Sequence, residues 1–340
     1  MLAAAEAGAA ASAGWALENA WLFPAIPFVS FLLILFFGKK LPKKGAEIGI
    51  TALGLVFAAA LVAGVQWIQH VNSAESAHGT EETHSTGETH STEGGTTEET
   101  HSTEGGTEET HSTETTEGAL SLGGGRSVVV AGPMPALAAA EEGGEGHASV
   151  PPVIKEWKAD WWTVGGIDFQ VGTFVDGQAV MMLFVVGLIS LLVHIYSTDY
   201  VHGDIRYTHF FAFLSLFTAS MLLLVLANNV VMFITAWELV GVCSFSLIGH
   251  WWEEQNNSNA ALKAFLTNRV GDMGLLIGVI ILYFAAGNTF SMLDINIGAN
   301  TGTIGHTTLL VASLCLIAAV MSKSGQFILH TWLPDAMAGP

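Results

Sequence analysis

Long apolar runs separated by short polar breaks dominate the pattern of this chain. Seven stretches, approximately 21–37, 47–69, 174–196, 208–227, 229–250, 265–286 and 307–329, are nearly free of charge. Each is close to the roughly 20 residues that a helix needs to cross a bilayer. The pattern predicts an all-α fold, a polytopic membrane helix bundle of about seven spanning helices. The Asn228-Asn229 link between the fourth and fifth runs predicts a tight antiparallel hairpin, and polar clusters at 197–207, 251–260 and 287–305 read as connecting loops.

One segment breaks the pattern. Residues 71–165 separate an N-terminal pair of spans (1–70) from the remaining transmembrane domain (166–340). The unit Thr-His-Ser-Thr-Glu recurs there at 89–93, 100–104 and 110–114. Such a tract has almost nothing to bury and cannot offset the entropy of ordering itself, so disorder is expected. Histidine-rich tracts can also capture metal. The histidines of the repeated unit recur ten or eleven residues apart with no fixed geometry, and no metal site is assigned to them. The stretch 119–140, with Val128 to Val130, is too short and too broken by Pro and Gly to span.

Composition sharpens this picture. The chain is 51% hydrophobic and 12% charged, against about 25% charged for a soluble domain. The formal net charge of −19 comes largely from the insertion. Residues 71–125 hold twelve glutamates and no Lys or Arg, and Glu141, Glu142 and Glu145 bring the count over 71–145 to fifteen of the thirty acids. With no basic patch to displace counterions from phosphates, no nucleic-acid partner is implied. Cys243 and Cys315 form no CxxC pair and read as buried free thiols. The N-terminus lacks the basic region of a cleaved signal peptide.

Orientation follows from the Lys/Arg bias of short loops. Lys39, Lys40, Lys43 and Lys44 after the first span mark a cytoplasmic loop. Alternation places Arg206, Lys263 and Arg269 near cytoplasmic helix ends, and the N-terminus and the insertion outside. The expected location is a bacterial inner (plasma) membrane, with the N-terminus and insertion extracytoplasmic.

Few charges remain within the spans. Glu238 lies near the centre of the fifth, about ten residues or roughly 15 Å from either end, too deep for a short side chain to reach water. A carboxylate at that depth costs at least about 2.5–3.5 kcal/mol. It is either a protonated hydrogen-bond donor between helices or a group that loads and unloads a proton. Lys323, in the last turns of the seventh span, is the natural counter-charge, or else a lysine reaching to the interface. Arg269 and Asp272, in the first turns of the sixth, are three apart and share a helix face. They either neutralise each other at a helix entrance, join a subunit interface, or handle protons. Lys263 is an interfacial anchor or the mouth of a proton path. Polar and breaking residues from Ser322 to Pro334 suggest a discontinuous helix or an ordinary helix end. His194, His250 and His330 read as interfacial or hydrogen-bonded, and Trp251 and Trp252 as interfacial belt residues. No dinucleotide fingerprint, Walker motif or cysteine set marks a redox centre, so no cofactor is expected in this chain.

The runs WELVGVCSFSLIGHWW (237–252), ALKAFLTNRVGDMGLLIG (261–278) and KSGQFILHTWLPDAMAGP (323–340) resemble the antiporter-like subunit family of respiratory complex I. This is subunit L of bacterial NADH–quinone oxidoreductase, the counterpart of mitochondrial chain 5. The resemblance implies the first inverted repeat of an antiporter-like fold and a proton-translocating subunit of an enzyme whose redox chemistry lies in other subunits. It implies a proton relay through Glu238 and Lys323, with Arg269, Asp272, Lys263 and Asp176 as further candidates. Partners would be the other membrane subunits of complex I and the lipid bilayer, with protons as the transported species. Two departures stand out: the long His/Glu/Thr insertion, and a chain that stops where the family continues into an eighth helix, as in a truncated sequence. A multi-subunit cation/proton antiporter subunit and a non-transporting membrane scaffold are the competing expectations.

Overall fold

A computed structural model describes residues 14–85, 127–129, 150–158 and 170–340. The helices are α1 (Trp15–Glu18), α2 (Leu22–Phe37), α3 (Ala46–Ser85), α4 (Gly177–Tyr200), α5 (Tyr207–Val225), α6 (Val230–Ile248), α7 (Gln255–Ala285), α8 (Met292–Asn300) and α9 (His306–Lys323). Three strands, β1 (Ser127–Val129), β2 (Val153–Lys158) and β3 (Gln170–Val175), form an antiparallel sheet in the order β1-β2-β3. Among the described residues, seven helices are long and apolar enough to span: α2, α3, α4, α5, α6, α7 and α9. The multi-pass helical bundle expected from the apolar pattern is therefore what forms.

Several boundaries differ from the sequence reading. The sixth span begins at Gln255 rather than 265, because Ala260, Ala261 and Ala264 pack with Ile248 beneath Trp332 and Ala336 and carry the helix through an Asn-rich start. Arg269 thus lies fourteen residues into α7 instead of at its entrance. The 287–305 loop contains α8, whose first turn is capped by the Ser291 hydroxyl accepting from the Asp294 N–H. The last span ends at Lys323, and the chain then turns before a short 3-10 segment at Asp335–Ala338. It is an ordinary helix end among these residues, not a discontinuous helix.

The insertion is part ordered. Residues 71–85 continue α3, since extending a formed helix costs far less than nucleating one. β2, rich in β-branched and aromatic residues, pairs with β3 from Val153↔Val175 to Lys158↔Gln170. Residues 86–126, 130–149 and 159–169, where disorder and the His repeats were expected, lie outside the described residues.

Two groups of helices make the body. In the first, Leu17, Val56, Leu183 and Leu222 pack α1, α3, α4 and α5 together with β2 and β3, and Phe23 brings in α2. In the second, Val230, Leu275, Ile295, Ile304 and Ala319 join α6 to α9. The α5–α6 link ties the sheet to the second group: the Phe174 N–H donates to Leu226 O at 3.1 Å, and Asn229 bridges to Ser291 at the start of α8. Asn229 also caps α6, accepting from the Met232 N–H at 2.8 Å. Large apolar side chains such as Leu55, Ile189, Phe284 and Leu314 point outward, as lipid-facing positions do. Because lipid is as apolar as leucine, helix pairs here gain chiefly from close packing at small residues. The α7–α9 pair shows this best. A Cβ on Gly274 would stand 2.5 Å from Cys315 O, and one on Gly278 3.0 Å from Ala312 O. Both cysteines are free, Cys243 buried and Cys315 only half-buried.

At one end of the bundle most of the basic residues collect: Lys39 and Lys40 after α2, Lys43 and Lys44 before α3, Arg206 before α5 and Lys263 in the first turns of α7, while Lys155 and Lys158 lie in β2. At the other end lie the sheet and α8.

Candidate functional site

The site is built by α6, α7 and α9. Glu238 is the ninth residue of α6, at mid-helix, and forms an ion pair with Arg269 of α7. Arg269 also faces Asp272 on its own helix at 3.6 Å, so one guanidinium serves two carboxylates. Its plane lies over Phe265, 4.6 Å from the ring centroid. Asp272 is buried and accepts a hydrogen bond at 2.7 Å from the indole N–H of Trp237, the neighbour of Glu238.

Lys323 ends α9 and reaches the same place. Its ammonium donates to the Trp237 carbonyl at 3.1 Å and sits 5.0 Å from the Trp237 ring centroid. The remaining space is made by Gly241, one turn after Trp237. A Cβ there would stand 3.3 Å from Arg269 Nη2 and 3.4 Å from Lys323 Nζ. The missing side chain is what lets the two cations converge on α6.

Glu238 and Lys323, the pair singled out in the sequence, therefore share one cluster but form no ion pair with each other in it. Arg269 takes the place beside Glu238. Two carboxylates and two cations balance, which is how charge is tolerated at membrane depth. At an effective dielectric near 20, unit charges about 4 Å apart attract by about 4 kcal/mol before the desolvation cost is subtracted. Removing one partner would leave the others uncompensated.

The remaining candidates lie elsewhere. Lys263 pairs with Asp335 at 2.6 Å, both substantially exposed, at the basic end. Asp176 caps α4, accepting from the Ala179 N–H at 2.7 Å, at the sheet end. His194 is buried, its Nδ1 2.9 Å from Ser190 O and its Nε2 3.3 Å from the Ser215 hydroxyl. Trp237, Gly241 and the α7 glycines were not singled out as site residues from sequence. The signals were a glycine three residues after Glu238 and the spacing of Gly271, Gly274 and Gly278.

A second polar cluster ties two loops at the basic end. Asp204 accepts from the Trp251 indole N–H at 2.8 Å and lies 3.3 Å from His250 Nε2. Arg206 donates to His250 O at 2.8 Å, pairs with Glu253 and lies over the Trp252 ring. Burial alone would raise the Asp204 carboxyl, but the Trp251 N–H, the Arg206 backbone N–H and His250 together hold it below its usual value. Burial pushes His250 below its usual value against the pull of Asp204, with the charge of Arg206 adding to the effect.

The bundle of long apolar helices brings charged side chains together midway along α6. The family described as NADH:quinone oxidoreductase/Mrp antiporter, TM, matches residues 227–340. That described as NADH-Ubiquinone oxidoreductase (complex I), chain 5 N-terminus, matches 161–211. NADH-quinone oxidoreductase subunit L of Neisseria meningitidis serogroup A is 42% identical over 191 residues, 53% of this chain and 28% of that protein. NAD(P)H-quinone oxidoreductase chain 5 of Synechocystis is 39% identical over 199 residues, 58% of this chain and 28% of that one. The chain thus spans little more than a quarter of these relatives' length. The fold also resembles the Mrp complex from Dietzia, with a TM-score of 0.60 at 19% identity, covering 95% of this chain and 25% of that one. An archaeal membrane-bound sulfane sulfur reductase gives 0.61 at 14%, covering 95% and 48%. Over the matched stretches 161–211 and 227–340 the chain is similar to the antiporter-like subunits of complex I, subunit L and chain 5 among them.

Proposed function

We propose that the chain acts in a proton-translocating membrane subunit of NADH:quinone oxidoreductase, with Glu238 and Lys323 as the groups that load and pass protons. The observation that carries this reading is the gathering of Glu238, Arg269, Asp272 and Lys323 around Gly241, midway along α6. A carboxylate held by a cation that a second carboxylate also attracts can exchange partners when a proton arrives. Arg269 and Asp272 are the groups through which such an exchange passes, so both belong to the relay. In this reading, energy comes from redox chemistry in partner subunits. The basic end faces the cytoplasm of a bacterial inner membrane and the N-terminus faces outward, in line with the Lys/Arg bias.

The test is Glu238→Gln in the intact membrane complex, reconstituted in vesicles with a pH-sensitive dye. Proton translocation should be lost while the complex still assembles on native gels. Normal pumping would remove Glu238 from the relay and favour a scaffold role. A second reading, a subunit of a multi-subunit cation/proton antiporter, draws on the fold shared with the Mrp complex. Loss of sodium exchange without loss of redox-driven pumping would select it.

A further inference from the structure

The relay above leaves unused a buried polar group that lies beside it. Asn268 lies one turn before Asp272 on α7 and is 8% exposed. Its side-chain N–H donates to Ala264 O at 3.0 Å, which fixes which end of the amide is oxygen. That oxygen has no partner among the described residues. It borders a small pocket between α6 and α7, whose lining includes Ser244, Phe245, Arg269, Asp272 and Trp332. Leaving an amide oxygen dry at this depth is costly, and the simplest partner is water.

The pocket leaves about 10 Å³ for the centre of a water molecule, roughly the room one water requires. One water, and not a file of them, fits. Residues four apart on a helix have Cβ atoms about 5–6 Å apart, a gap that a single water bridges. Ser244 directs its hydroxyl hydrogen to Val240 O at 2.9 Å, so its oxygen still accepts. The polar partners such a water needs are present: the Asn268 oxygen, the Ser244 oxygen and the Asp272–Arg269 pair.

We infer that Asn268 holds a single water between α6 and α7 that hands protons from the basic end to the Asp272–Arg269–Glu238 cluster. In this step the water gives one proton to the Asp272 carboxylate, forming its O–H bond, as it takes another from a hydronium ion of the aqueous phase at the basic end, which is left as water. One O–H bond of the held water breaks and one forms, and that water ends neutral. Phe245, Ile248 and Trp332 border the pocket with apolar surface, which confines the water to this one position. Asn268 is a positioning residue, acting through the water it holds. The inference rests on the proposed proton relay and adds its supply step.

The test uses the intact complex in vesicles. Asn268→Leu keeps the shape and removes the oxygen, and Ala264 O keeps its helical hydrogen bond. Proton translocation should fall about tenfold, the scale set by losing one hydrogen bond to the carrier. Asn268→Ser, which restores an oxygen and leaves room for water, should recover most of the rate. Parental pumping in Asn268→Leu overturns the inference, and equal losses in both variants do so too by marking a structural effect. If Asn268→Leu fails to assemble, a map of the parental complex fine enough to show waters decides. A peak within hydrogen-bond distance of the Asn268 oxygen supports the site, and an empty pocket overturns it. Glu238→Gln run in parallel separates the two levels. If that variant pumps normally the relay itself fails, whereas its loss beside a fully active Asn268→Leu refutes only the water step.

Discussion

The position of Lys323 should depend on one glycine. Gly271 lies on the face of α7 against which α9 packs. A Cβ there would fall within the Ser322 side chain and stand 3.0 Å from Ala318 O. Ordinary contact begins near 3.4 Å, so the carbonyl alone must retreat by 0.4 Å (3.4 − 3.0). Ser322 must retreat further, and fitting a methyl between backbones this close opens the pair by roughly 1 Å. Ser322 precedes Lys323, so the helix end that carries the ammonium moves with it. The 3.1 Å bond from Lys323 to Trp237 O then stretches past the usable range. Overpacking of this kind costs about 1–3 kcal/mol. Gly278→Ala is the matched control, since its Cβ would press on Ala312 O at 3.0 Å and Leu316 at 3.1 Å. Ala312 lies roughly 16 Å up α9 from Lys323 by helical rise. Both variants should lower the thermal stability of the complex in detergent to a similar degree. Only Gly271→Ala should also reduce proton translocation, by about ten- to a hundredfold, because misplacement by 1 Å can cost that much. Equal pumping by the two variants would refute the claim that the α7–α9 packing sets the position of Lys323.

Trp237→Phe keeps the ring and the carbonyl but removes the 2.7 Å bond to Asp272, a hydrogen bond to a charged group worth about 1.5–3 kcal/mol. Assembly should persist, pumping should fall, and an unchanged rate would show that Asp272 does not need this donor. Asp176→Ala should destabilise the start of α4 by about 0.5–2 kcal/mol, measured as faster hydrogen exchange there, while Asp176→Asn retains the cap. Equal pumping losses in both Asp176 variants would instead mean that the charge matters. Below about pH 6.5 the two loops at the basic end should loosen. His250 is held below its ordinary value, so the folded state disfavours the protonation that the unfolded chain accepts, and stability falls as pH drops through that range. Asp204 acts in the same sense at lower pH: its depressed carboxyl stabilises above about 3.9 and loses that contribution as pH falls through the folded value. Exchange protection of 201–206 and 249–254, corrected for intrinsic rates, should be weaker at pH 5.5 than at 7.5. Equal protection would place these loops outside histidine control.

The spans were legible because a bilayer demands an apolar run of fixed length, a signal that needs no tertiary information. The errors fall where that signal stops. Residues 255–264 are polar enough to read as loop, yet three buried alanines make them the first turns of α7. Met292–Asn300 is too short and polar to stand out, and β2 carries Lys155 and Glu156 within a strand. Glu238, Arg269, Asp272 and Lys323 were visible as charges in apolar surroundings. Which of them meet was not. Helical spacing placed Arg269 and Asp272 on one face, but the choice of Arg269 as partner to Glu238 depends on how α6 and α7 cross. Gly241 left no chemical mark in the sequence, since its contribution is an absent side chain. Asn268 was one more amide in a polar stretch until its neighbours were known.

The observed pairing changes how Glu238 and Lys323 can communicate. Were they in contact, a proton on one would release the other directly. Instead Glu238 is bound to Arg269, and Lys323 to the backbone of Trp237, whose side chain holds Asp272. Trp237 and Glu238 are adjacent on α6, while Arg269 and Asp272 are one turn apart on α7 and attract each other. The shortest route between the two sequence-marked charges therefore crosses from α6 to α7 and back. Protonating Asp272 would weaken its claim on Arg269 and strengthen the hold of Arg269 on Glu238. Moving Lys323 along α9 would act through Trp237 on Asp272. In the proposed relay, the residues that would distinguish it from a static ion cluster are thus the intermediaries on α7, together with the glycines that bring α9 close enough to reach them.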